Sequence, residues 1–62
     1  MALKLQTAVP PEELGEIKKR AGANVELRVL GKDGRLWVVE VLGSSGELQK
    51  FMEKLRLARA GG

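Results

Sequence analysis

A proline pair, Pro10-Pro11, separates an alternating segment from a helical one, and this junction constrains the fold more than any other feature of the chain. Upstream of it, Leu3, Leu5, Thr7 and Val9 fall on one side, and Ala2, Lys4, Gln6 and Ala8 on the other. That alternation predicts a half-buried strand over 2–9. Proline has no N–H to give a sheet, but its fixed φ suits the first turn of a helix. Downstream, Leu14, Ile17 and Ala21 share one helical face, which predicts a helix over 11–21 with Gly22 as a left-handed stop. Gly15 inside that helix costs about 1 kcal/mol relative to alanine, a cost that close approach of another backbone would offset.

The next two runs form a hairpin. Val25, Leu27 and Val29 alternate inward over 24–30, Gly31-Lys32-Asp33-Gly34 makes the turn, and 35–42 is the third strand. Both faces of that third strand are apolar: Trp37, Val39 and Val41 on one, Leu36, Val38 and Leu42 on the other. Turn chemistry decides between them. A three-residue loop, Lys32-Asp33-Gly34, with Gly34 as a left-handed bulge sets Val29 opposite Trp37, Leu27 opposite Val39 and Val25 opposite Val41. A two-residue loop would turn Glu40 toward the core.

Gly43-Ser44-Ser45-Gly46 then leads into a second helix running to about residue 59, with Ser44 and Glu47 at capping-box spacing and Leu48, Phe51, Met52, Leu55 and Ala58 on one face. The order is βαββα. With a right-handed first crossover, strand one lies next to strand three and parallel to it, strand two pairs on the far side, and the sheet order is 1-3-2. The predicted fold is α+β, a two-layer sandwich with both helices on one face of a three-stranded sheet. Its layout is that of a ferredoxin-like plait lacking the last strand. Residues 1–60 make a single domain, and 61–62 a flexible tail. The terminal Gly61-Gly62 resembles the end of ubiquitin-like carriers, but those begin with a hairpin rather than with a strand leading straight into a helix.

At 62 residues, with neither Cys nor His, such a domain has no disulfide, no thiol nucleophile and no histidine acid/base to draw on. We expect no catalysis, no cofactor and no metal. Ser44, Ser45 and Thr7 have no imidazole to activate them, and the strand-to-helix turn is not a nucleophile elbow. Glu26 and Glu40 fall opposite each other in the bulged register, and Lys4 and Arg28 beside them point to ion pairing rather than to acid/base work. The lack of a long apolar run and of a leader-like start points to a soluble, cytoplasmic protein outside the membrane. The absence of Cys, with one Asn and few Gln, fits a thermophile.

Three surfaces remain as candidates. Eleven Lys/Arg against eight Asp/Glu give a formal charge of +3, which favours anionic partners such as DNA or RNA. Arg28, Lys32 and Arg35 gather on the hairpin, and Lys50 and Lys54 follow on the second helix, so these five are the expected phosphate contacts. Lys18-Lys19-Arg20 complements a helix C-terminus instead. The second candidate is the helix-free face of the sheet, where Leu30, Leu36, Val38 and Leu42 form an apolar group suited to an interface. A domain this small buries little surface by itself, so we expect a homodimer through the sheet, by its face or by the edge of strand one. The third is an anion site at the second helix N-terminus, on Ser44 and Ser45. The leading expectation is a basic protein that contacts nucleic acid or a ribonucleoprotein. The alternative is a regulatory or assembly module that binds a protein or small ligand through the apolar face.

Overall fold

The structure, a computed structural model, describes residues 1–60 of the chain. Five elements follow in the expected order: β1 (Ala2–Thr7), α1 (Pro11–Ala21), β2 (Glu26–Asp33), β3 (Leu36–Leu42) and α2 (Ser45–Ala60). The expected tail, Gly61-Gly62, lies outside the described residues.

The strands form one sheet in the order β1-β3-β2, with β3 antiparallel to both neighbours. The order matches expectation. The direction corrects it, because β1 was expected to run parallel to β3. A helical crossover brings the chain back in its original direction, so α1 makes β1 parallel to the strand it enters, which is β2. The hairpin then reverses the chain, and β3 slots between them opposed to both. Both helices lie on one face, and their buried residues, Leu14 and Ile17 of α1 and Leu48, Phe51 and Leu55 of α2, join Val25, Val39 and Val41 in the core. Leu5, Leu27, Trp37 and Met52 pack around it.

Element ends follow local chemistry. Pro11 opens α1, and Leu14 N–H donates to the Pro10 carbonyl at 3.0 Å. Gly22 closes it at φ 63°, where Gly22 N–H donates to Lys19 O and Ala23 N–H to Lys18 O. This is the Schellman pattern, which glycine adopts without a Cβ penalty. β1 stops at Thr7, short of the expected Val9, because the buried Thr7 Oγ1 accepts the Val9 N–H at 3.1 Å and bends the chain toward the prolines. Gly15 has no neighbour within 4 Å of where a Cβ would stand, so no close backbone approach offsets its cost. The close approach is at Gly43, where a Cβ would stand 3.0 Å from Val25 Cγ1 and 3.2 Å from the Asn24 carbonyl oxygen.

The hairpin register differs from expectation. Asp33 pairs with Leu36 across a two-residue turn, Gly34-Arg35, with Gly34 at φ 63°. A positive φ at the first turn position alone is the II′ pattern, which matches strand twist. The pairs are Val29 with Val39 and Leu27 with Val41, while Trp37 faces Lys32 rather than Val29. Glu40 is nonetheless kept off the core face. A bulge between Val29 and Gly31 inserts one residue, Leu30, and restores the side-chain parity that the short turn would have inverted. The extra residue that parity requires is Leu30, not Gly34. Val29 was expected inward and does face the helix side, but it remains 46% exposed because the helical layer does not reach the outer edge of β2.

A candidate binding surface on the sheet

The open face is built in rungs that cross all three strands. Ala2, Leu42 and Glu26 make one rung, Lys4, Glu40 and Arg28 the next, and Gln6, Val38 and Gly31 the third. Leu36 and Asp33 close the face at the turn. The expected interface residues are therefore brought together in part. Leu36, Val38 and Leu42 share this face on alternate positions of β3. Leu30 sits in the bulge beside them. Leu30 is 47% and Leu36 38% exposed, and Val38 and Leu42 are half-buried.

The middle rung is charged, with Lys4 and Arg28 on either side of Glu40, and Glu26 on the neighbouring rung adds a second carboxylate. Glu40 does not face Glu26, as the three-residue loop implied; the bulge moves Arg28 opposite Glu40 and Leu42 opposite Glu26. Arg28 reaches Glu40 at 3.6 Å and Glu26 at 3.9 Å, and Lys4 flanks Glu40 from β1. Ion pairs this exposed contribute about 0–1 kcal/mol, so the rung sets the charge of the face more than its stability.

The five basic residues expected on phosphates do not assemble. Arg28 lies on the open face between two carboxylates. Lys32 lies across from Trp37 toward the helix side, its Nζ 4.9 Å from the ring centroid, an exposed cation–π contact of about 0.5–1 kcal/mol. Arg35 is in the turn. Lys50 is 3.0 Å from Glu47 in the first turns of α2. α2 starts where β3 finishes, at the opposite end of the sheet from Arg35 in the Gly34-Arg35 turn. Lys54 follows one turn beyond Lys50. Trp37 is half-buried under Lys32 and presents no free stacking platform.

The N-terminus of α2 holds its own counter-charge. Ser44 Oγ accepts the Glu47 N–H at 3.4 Å, so Ser44 acts as the cap. Glu47 does not return to Ser44, as a full capping box would. Its Oε1 instead accepts the Asn24 N–H at 2.7 Å, tying the helix to the chain entering β2. That hydrogen bond, then the one with Lys50, holds the Glu47 carboxyl below its ordinary pKa. A carboxylate already placed at this helix end disfavours a second anion on Ser44 and Ser45. This tie spans 23 residues, and spacing alone gave no signal of it.

An open cleft also runs between α1 and the start of β2, lined by Gly15, Lys18, Lys19, Asn24 and Glu26 among others. Among the described residues no helix is long and apolar enough to cross a membrane.

A protein-family model matches residues 1–62, the whole chain, and its description is "uncharacterised protein". The chain belongs to this family. No curated protein and no solved structure matches it. The family's description carries no activity, so function rests on the geometry of the sheet.

Proposed function

We propose that this protein is a non-catalytic binding module that works through its sheet, and that the open face receives a protein surface carrying aliphatic side chains. The observation behind this reading is the composition of that face. Leu30, Leu36 and Val38 lie on one side of the charged rung Lys4, Glu40 and Arg28 and Leu42 lies on the other, with Arg28 already paired to Glu40 and Glu26. Exposed aliphatic side chains flanking charges that are largely offset within the face favour burial against another protein. It offers little to phosphate, whose binding needs unpaired cations on one surface.

Nucleic-acid contact through Lys32, Arg35 and Lys54 is the second reading. It is favoured by these three having no ion pair among the described residues. One experiment separates the two. A photoreactive amino acid at Leu36 is activated in cells producing the protein, and its adducts are identified by mass spectrometry. The open-face reading expects discrete protein adducts that vanish with Val38→Glu and survive Lys32→Ala with Arg35→Ala. Nucleic-acid adducts lost with the lysine and arginine changes establish the second reading. Adducts indifferent to Val38→Glu overturn the first.

A further inference from the structure

The two edges of the sheet are unlike. β2 is defended: four of its eight residues are charged (Glu26, Arg28, Lys32 and Asp33), and a bulge breaks its line. Both devices discourage strand addition. β1 has one charged residue in six, Lys4, no proline, and an unbroken register against β3. Leu3 on this strand is 36% exposed. We propose that β1 pairs with β1 of a second copy, antiparallel about a two-fold axis at Leu5, so that two three-stranded sheets become one continuous sheet.

The main-chain geometry fixes which groups are free. Gly43 N–H donates to the Met1 carbonyl at 3.0 Å, which makes Met1 and Gly43 a hydrogen-bonded pair. Such pairs alternate along an antiparallel ladder, so Leu3, Leu5 and Thr7 direct their N–H and C=O groups at β3. Ala2, Lys4 and Gln6 direct theirs outward. A two-fold axis at Lys4 would set Lys4 against its own copy, a like-charge pair. An axis at Leu3 would need Met1, outside the strand, to complete the ladder. An axis at Leu5 stays within Ala2–Thr7 and opposes Lys4 to Gln6 of the second copy twice, through the outward main-chain groups. It brings Leu5 against Leu5 and Leu3 against Thr7 on the helix side, covering the exposed Leu3. This pairing uses the edge and leaves the open face free, so it stands whether or not that face binds a partner.

The test is sedimentation equilibrium of four single variants beside the parent. Gln6→Glu places a carboxylate opposite each Lys4, and Gln6→Lys places a second ammonium there. Gln49→Glu and Gln49→Lys make the same charge changes on an exposed position of α2. Gln6 is exposed, so these variants keep the fold, which far-UV circular dichroism checks. The parent is expected at twice its 6.7 kDa chain mass. Gln6→Lys should weaken the dimer about tenfold and Gln6→Glu should tighten it, with two affected pairs per dimer, while the Gln49 variants follow the parent. A single-chain mass up to millimolar concentration overturns the proposal. So does a dimer in which Gln6 and Gln49 variants behave alike. A dimer broken by Val38→Glu but not by Gln6→Lys moves the contact to the open face, and likewise overturns it.

Discussion

Glu47 shows how one side chain carries two jobs. Its backbone N–H closes the Ser44 cap, and its carboxylate holds the chain at Asn24 where it turns into β2. Because that carboxyl titrates below its ordinary value when folded, it stabilises the protein above the ordinary carboxylate range and loses that effect as pH falls through the lowered value. Glu47→Gln should therefore lower the urea midpoint at neutral pH and converge with the parent in strong acid. Equal midpoints at neutral pH would show that the tie to Asn24 adds no stability. Arg28 illustrates the opposite case. Its position in the sequence suggested a phosphate contact, and its two carboxylate partners give it a local role.

Among the elements, α1 is the one with an evident weakness. Gly15 sits mid-helix with open space around it, so the entropy that glycine adds to the unfolded chain is not offset by packing. Gly15→Ala should raise stability by about 1 kcal/mol, which is about 4–8 °C in Tm for a domain of this size. A lower Tm measured by circular dichroism would mean that the cleft beside Gly15 needs its openness to hold the native state. The hairpin carries a different lesson at this scale. The residues Gly31-Lys32-Asp33-Gly34 advertise a turn but allow two loop lengths, and each is compatible with the apolar pattern only if one extra residue is placed somewhere. Placing it at Leu30 keeps Val39 and Val41 fully buried and Glu40 out of the core.

For the molecule as a whole, the margin is narrow. A core of nine buried hydrophobic residues among those described, with no cysteine to cross-link it, belongs to the size class that holds about 3–5 kcal/mol. Phe51 is its largest fully buried side chain, and Phe51→Ala costs about 3–5 kcal/mol. We expect that variant to be largely unfolded as an isolated chain, seen as loss of the far-UV helical signal, whereas Leu57→Ala on the exposed side of α2 should leave the signal intact. A folded Phe51→Ala protein would mean that stability comes from elsewhere, association through β1 being the first place to look.

The sequence by itself determined the element types, their order, the stop of α1 and most of the core, although Leu3, Val29 and Ala58, expected inward, are exposed and Ala23 joins the core. These follow from local chemistry: alternation in β1, the prolines before α1, glycine at Gly22, and the apolar stripe through Leu48, Phe51 and Leu55. The apolar open face was legible for the same reason, since period two assigns faces once one face is known. The direction of β1 against β3 also follows from the element order, since a helical crossover makes β1 parallel to β2 and the hairpin then reverses β3. The tertiary structure alone decided the site of the bulge and which charges meet. Register depends on where one inserted residue is cheapest across two strands at once. The partners of Arg28, Lys32 and Glu47 then follow from that register and from contacts between distant segments. Spacing along the chain placed those basic residues near one another, and the fold placed them on different faces and at different ends.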